Sequence, residues 1–263
     1  MIEVLMVFMG ILLTGLAGYS LKSLTVSGAL AAIIAGLAVY LGFGINGLVL
    51  LGVFFASSSL WSKYKSSAKN SIEEKLAKGA TRDWRQVFAN GGAAGFFSIV
   101  HYYHPDFIWL IGFVVCLASA NSDTWASEIG SLSRKHPIYI RTFKRIEKGT
   151  SGAISMLGST AALAGSLLIS IFSYWLFTIS FRLAVLIFLF GYIGNVIDTI
   201  IGAFYQQVYV CKKCGIETEK KEHCQIATTR IKGIPLVDND MVNFLSGVLS
   251  AILAILVIQL TSY

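Results

Sequence analysis

Apolar runs long enough to cross a lipid bilayer recur along the whole chain, separated alternately by short uncharged hinges and by long polar loops. A helix needs about 20 apolar residues to span the hydrocarbon core. Eight segments qualify or nearly qualify: residues 3–20, 25–42, 45–61, 86–103, 107–128, 153–178, 183–205 and 241–261. The second and third are short and contain glycine, which suits helices that tilt or pack inside a bundle. The fourth is the least apolar, and Asn90-Gly91-Gly92 near its start predicts a broken or re-entrant helix. Non-helical backbone at that depth is tolerated only beside protein or a wet cavity. The pattern predicts an all-α polytopic membrane helix bundle of about eight transmembrane helices. It forms one integral-membrane domain over 1–263, with a loop insert at 205–240.

Charge adds an orientation. Lys22 lies between the first two spans; Lys63, Lys65, Lys69, Lys75, Lys78, Arg82 and Arg85 between the third and fourth; Arg134, Lys135, Arg141, Lys144, Arg145 and Lys148 between the fifth and sixth; Lys212, Lys213, Lys220, Lys221, Arg230 and Lys232 between the last two. With eight spans all of these fall on one side and only Arg182 on the other, so the long loops are expected to be cytoplasmic and both termini outside. A missed or extra span would scramble that agreement. The net charge of +7 is then loop asymmetry, and basic residues scattered between apolar spans argue against a nucleic-acid partner. At 55% hydrophobic and 13% charged residues, the chain departs from the roughly 25% charge of soluble domains. The first apolar segment has no basic leader and no small-residue cleavage site, so it is expected to be a retained span.

Within this apolar frame a few polar groups stand out. Asp123 and Glu128 close the fifth span, among Asn121, Ser122, Thr124 and Ser127. A carboxylate near lipid is costly unless a cation or water compensates it. Asp198 lies near the end of the seventh span, and Asp238, Asn239, Asp240 and Asn243 open the eighth. The topology brings these groups to one membrane depth. Hard oxygen ligands at the wet ends of helices are what magnesium takes, usually while bridging to phosphate. At 100° per residue Glu128 points about 140° away from Asp123. Either the helix breaks or only one of the two ligates directly.

The basic loops offer the complementary chemistry. Arg134, Arg141, Lys144 and Lys148 precede Gly149-Thr150-Ser151-Gly152, whose glycines let backbone amides approach an anion and whose hydroxyls are placed to cap the sixth span. The alternative is that these cations only set topology and meet anionic headgroups. Arg82, Asp83, Gln86 and Asn90 recur at helical spacing, giving either a substrate-binding face or a capped, snorkelling helix start. Cys211-x-x-Cys214 followed by His223-Cys224 has the content of a structural zinc site, although adjacent ligands rarely aim at one ion; the alternative is a reduced hairpin without metal. A cytoplasmic loop argues against disulfides. His101 and His104 flank Tyr102-Tyr103 at the outer interface, as amphipathic rings do there, and His136 precedes Pro137 in a solvated loop. There is no nucleophile elbow, no Walker A loop and no kinase-type catalytic Asp loop.

Taken together, Asn121-Ser-Asp-Thr-Trp-Ala-Ser-Glu-Ile-Gly130, Gly149-Thr-Ser-Gly-Ala-Ile-Ser155, Gln86-Val-Phe-Ala-Asn-Gly91, Asp198-Thr199 and Asp238-Asn-Asp-x-x-Asn243 resemble the transmembrane-protein-19-like family. That family includes the plant phytyl-phosphate kinase of vitamin E synthesis, and the resemblance covers nearly the whole chain. The cysteine-bearing loop resembles the microbial branch. The resemblance implies an integral-membrane kinase that converts an isoprenoid monophosphate to the diphosphate with a nucleoside triphosphate, CTP in particular.

Phosphoryl transfer needs in-line positioning and charge neutralisation rather than covalent help. The expected assignment is therefore magnesium on Asp123 and Asp198, with Glu128 a ligand or an orienting neighbour. Arg82, Arg141, Lys144 and Gly149, Thr150, Ser151 and Gly152 would bind phosphates. Gln86, Asn90, Asn121, Thr124, Asn239, Asp240 and Asn243 would contact or orient metal, nucleotide or substrate. The substrate would keep its apolar tail between helices and its phosphate at the cytoplasmic interface of the membrane. Two other classes share these features: a cytidylyltransferase making a CDP-linked lipid, and a transporter or flippase for a phosphorylated lipid. Transport would favour midplane charges and an inverted repeat, whereas the acids here sit at one edge.

Overall fold

The computed structural model describes residues 2–69, 72 and 74–261, so the extreme termini lie outside it. Helix α1 covers Ile2–Ser20. Thr25 then caps α2, Val26–Lys63, by accepting the N–H of Gly28. This long element is two rods. Gly44 has φ 61° and ψ −150°, a conformation that only glycine adopts at little cost. Beyond it the chain runs back on itself: a Cβ on Gly36 would lie 3.9 Å from Leu48 Cδ2, and Lys63 Nζ reaches the carbonyl of Leu21 at 2.5 Å. The arms 26–43 and 45–63 correspond to the two short apolar segments read from the sequence.

After a 3-10 turn at Ser66–Lys69, helix α3 spans Trp84–Tyr103. Asp83 and Gln86 form a reciprocal capping box at its start. The break expected at Asn90-Gly91-Gly92 is absent: α3 runs through it, and Asn90 donates back to the Gln86 carbonyl at 2.9 Å. A helical glycine costs only about 1 kcal/mol, which packing against α2 readily offsets.

Helix α4, Phe107–Gly130, is the hub. Asp106 caps it, and every residue from Leu110 to Ser122 is buried. A helix buried all round must be surrounded by others, and α4 packs against both arms of α2 and against α3, α5 (Met156–Leu176), α6 (Phe181–Phe204) and α7 (Asn239–Thr261). Small residues set the spacing. A Cβ on Gly194 of α6 would fall 2.0 Å from Ser119 Oγ. Hydroxyl-to-carbonyl bonds tie the rods together, as from Ser122 to Ala162 (2.9 Å) and from Ser170 to Ala184 (2.5 Å). Both devices are typical of helices associating in lipid.

Six of the helices, α1, α2 and α4 to α7, are long and apolar enough to cross a membrane. The loops are not bare coil. β1 (Ile138–Tyr139) pairs antiparallel with β2 (Ala153–Ile154). In the segment after α6, β3 (Val208–Val210) lies between β4 (Glu217–Thr218) and β7 (Thr229–Lys232), and β5 (Glu222–His223) forms a hairpin with β6 (Ile226–Ala227). The all-α expectation is thus amended by small sheets at one end of the bundle.

Candidate active site

At that end, the C-terminal ends of α4 and α6 meet the N-terminal ends of α3, α5 and α7. They surround a cavity of about 350 Å³. Asp123 of α4 and Asp198 of α6 face it from different helices. Asn195, one turn before Asp198, donates to Asp123 Oδ1 at 3.0 Å, and Ser246 of α7 donates to Asp198 Oδ2 at 3.3 Å. Neither aspartate has an ion-pair partner among the described residues. Beside them the buried Oδ1 of Asn243 has no hydrogen-bond partner among the described residues.

Glu128 does not join the pair. Helix α4 stays regular to Gly130, so Glu128 turns to another wall of the cavity and meets Lys69 at 2.5 Å. Lys69 Nζ also donates to the Trp61 carbonyl at 2.7 Å. Arg82 lies nearby, donating to Ser59 Oγ at 3.1 Å with its guanidinium over the Phe55 ring. Burial holds that guanidinium below its ordinary value, and Glu128 draws it back up. Asp240 is also paired: Lys78 bridges it (2.6 Å) to Asp83 (2.8 Å).

The glycine turn forms a further wall. Gly149 and Gly152 have φ of 80° and 81°. A Cβ on Gly152 would lie 2.4 Å from the Cα and Cβ of Ala203, so the turn sits flush on α6. Among the described residues the backbone N–H groups of 149–152 make no hydrogen bonds within the protein, the condition for a nest that takes an anion. Thr150 and Ser151 do not cap α5, as Ser155 does so by accepting from Gly158 N–H. Ser151 instead donates to Gln206 Oε1 at 2.7 Å.

The cavity thus brings together Arg82, Gln86, Asn90, Asp123, Thr124, Glu128, Gly149, Thr150, Ser151, Gly152, Asp198, Asn239, Asp240 and Asn243. Three expected residues do not line it. Asn121 is fully buried on the opposite side of α4, where it accepts from Ser57 and Ser58 and donates to the Gly165 carbonyl. Arg141 is exposed and stacks over Phe204, and Lys144 is exposed in the loop.

Four further lining residues are not expected here from the sequence: Lys69, Lys78, Asn195 and Glu219. Asn195 carried a signal, since it falls three positions before Asp198 on one helical face. Glu219 carried none. Burial pushes its carboxyl up to about 7, although the Ala77 N–H and the Gln206 amide donate to it; Asp240 and Asp238 push the same way as burial.

Next to this wall, one ligand atom each from Cys211, Cys214, His223 and Cys224 lies within 4.8 Å of the others. Cys224 and Gln225 take φ of 53° and 63°, folding the chain back directly after His223. That turn lets two adjacent side chains converge.

A family model described as integral membrane protein DUF92 matches residues 9–251, a stretch that takes in every motif quoted above. The chain belongs to that family of integral membrane proteins. It is similar to Protein PGR of Arabidopsis thaliana, 29% identical over 260 residues and 89% of each chain. It is 33% identical to an uncharacterized membrane protein of Methanocaldococcus jannaschii over 195 residues, 73% of this chain and 75% of that one. Protein VTE6, chloroplastic, of Arabidopsis thaliana is 28% identical over 241 residues, 90% of this chain and 66% of that one. No solved structure matches the chain.

Proposed function

We propose that this chain is a membrane-embedded isoprenoid monophosphate kinase that takes its phosphoryl group from a nucleoside triphosphate, CTP in particular. The observation that carries the reading is the facing of Asp123 and Asp198 across one polar cavity without a cation partner among the described residues, beside the glycine turn and Lys69, Lys78, Arg82 and Lys148. Support also comes from the motif resemblance to a family with a phytyl-phosphate kinase, and from the 90% coverage by the match to Protein VTE6. On this reading the two arms of α2 are counted separately and α3 is included, for eight spans. On the charge rule, both termini are then outside and the cavity opens at the cytoplasmic face.

The donor set fits magnesium: two carboxylates from separate helices and the Asn243 Oδ1, unpartnered among the described residues, are hard oxygens, as that ion requires. Bound there, the ion would neutralise charge on the phosphates. Asn195 holds one oxygen of the Asp123 carboxylate, a side chain that lines the cavity. Lys148 and Arg82, with the N–H groups of 149–152, bind phosphate oxygens and hold donor and acceptor in line. An oxygen of the prenyl monophosphate attacks the γ-phosphorus, the bond to the β-bridging oxygen breaks, and the nucleoside diphosphate leaves. The acceptor is already anionic near neutral pH, so no general base is required.

The test is turnover by the purified chain with prenyl monophosphates and each nucleoside triphosphate, products being identified by mass spectrometry. Prenyl diphosphate with nucleoside diphosphate is expected. Pyrophosphate with a CDP-linked lipid would make the protein a cytidylyltransferase, and no consumption of either substrate would overturn the enzymatic reading.

A further inference from the structure

The cysteine cluster carries an inference independent of the reaction. We propose that Cys211, Cys214, His223 and Cys224 hold a structural zinc ion, and that this ion anchors the 74–78 loop as a wall of the cavity.

The geometry of the cluster is tetrahedral in scale. Zinc–sulfur and zinc–nitrogen bonds of about 2.3 and 2.0 Å imply sulfur–sulfur edges of about 3.8 Å and sulfur–nitrogen edges of about 3.5 Å. Cys214 and Cys224 Sγ are 3.8 Å apart, and His223 Nδ1 is 3.4 and 3.2 Å from them. The Cys211–Gly215 turn is closed by Gly215 N–H on the Cys211 carbonyl at 2.8 Å, and the thiols at both Cys211 and Cys214 belong to the cluster. His223 supplies a second, separate observation. Its Nδ1 faces the thiols while its Nε2 faces Glu74 Oε1 at 3.6 Å. A carboxylate behind the far nitrogen is the usual support of a metal-bound imidazole. All four positions are filled by protein atoms, which marks a structural rather than a catalytic zinc.

The cluster is wired to the cavity through β4. Cys211 follows β3, which pairs with β4, and β4 delivers Thr218 and Glu219 to the 74–78 loop. Thr218 Oγ and the Glu219 N–H both donate to the Lys75 carbonyl at 2.8 Å, and Ala77 N–H donates to Glu219 Oε2 at 3.3 Å. Glu219 Oε1 accepts from Gln206, whose Oε1 accepts from Ser151 of the glycine turn. The loop so held carries Lys78, which bridges Asp83 and Asp240. These strands are only two to four residues long and have little core of their own, the situation in which a metal supplies the folding energy.

The experiment uses the full chain in detergent, purified from zinc-supplied cells. Metal analysis should find about one zinc per chain, and next to none in Cys214→Ser/Cys224→Ser. Cobalt exchanged into the wild type should show the absorption of a tetrahedral thiolate site. Chelating zinc from the wild type, which needs no variant to fold, should speed hydrogen exchange at 74–78 roughly tenfold while leaving α4 unchanged. A wild type without zinc, iron in its place, or zinc retained by the double variant would overturn the site. Unchanged exchange at 74–78 after zinc removal would overturn the coupling.

Discussion

The side-chain amide of Asn195 donates to Asp123 Oδ1 at 3.0 Å, across the interface between α6 and α4. The bond holds one carboxylate oxygen, leaves the other without a hydrogen-bond partner among the described residues, and restrains a side chain that lines the cavity. Groups that orient a metal-binding or phosphate-facing carboxylate in this way typically contribute 10–100-fold. Asn195→Ala should therefore lower kcat about 10–100-fold with thermal unfolding almost unchanged. Asp123→Asn should abolish turnover in a protein that still folds. Wild-type-like turnover in Asp123→Asn would remove that residue from the site.

Glu128 is predicted to behave differently, because its charge is already spoken for by Lys69 at 2.5 Å. Removing one member of a buried pair leaves the other uncompensated, at a cost of about 3–5 kcal/mol, whereas replacing both with apolar residues is often nearly neutral. Glu128 also acts on Arg82, so its loss leaves two cations without their anion, while loss of Lys69 leaves Glu128 with Arg82. Glu128→Met should accordingly destabilise more than Lys69→Met, and Lys69→Met/Glu128→Met should recover much of the loss. Thermal unfolding of the four proteins in detergent gives the double-mutant cycle. Additive losses would show that the pair is not coupled.

The glycine turn gives a prediction with an internal control. Alanine at 152 would be forced both into a left-handed backbone at φ 81° and into contact at 2.4 Å with Ala203. Strain of this kind costs on the order of 1–3 kcal/mol before the clash is added. Gly152→Ala should lower the unfolding midpoint and weaken phosphate binding as the turn lifts from α6. Gly91 lies within α3 with open space around its Cβ position. Gly91→Ala should be neutral or stabilising by up to about 1 kcal/mol. Equal effects at the two positions would mean that the turn's close approach has no importance.

Apolar runs translate directly into helices because burial of a span is a one-dimensional property of the chain. Even the hairpin at Gly44 shows in the sequence as two short segments rather than one long one. Asp123 and Asp198 were legible for the same reason, since a carboxylate in an apolar run has few inexpensive explanations. The continuity of α3 was not, because two glycines weaken a helix by an amount that packing overrides. Asn121 was misplaced by proximity in sequence: two residues from Asp123 is about 200° around a helix, and that side faces Ser57 and Gly165. Arg141 and Lys144 show that a basic loop announces charge without saying which side chains the fold turns inward. The Lys69–Glu128 pair joins positions 59 residues apart, a distance that no local pattern encodes.

Glu219 links the cysteine-bearing strands to the cavity, and burial raises its carboxyl from 4.5 to about 7. The sign of the resulting pH dependence follows from proton counting. Between those two values the folded protein binds a proton that the unfolded chain has released, so this residue's contribution to stability is greatest at or below about pH 4.5 and is lost as pH rises toward 7. In Glu219→Gln that slope should vanish, leaving the variant relatively more stable than wild type at pH 8 than at pH 5. The introduced amide can keep the connections if the Gln206 amide flips: its oxygen then accepts from Ala77 N–H, and Gln206 donates to Ser151. Thermal unfolding of both proteins from pH 5 to pH 8, at fixed detergent and salt, measures the difference. Parallel curves would mean that Glu219 is ionised in the folded protein across the whole range.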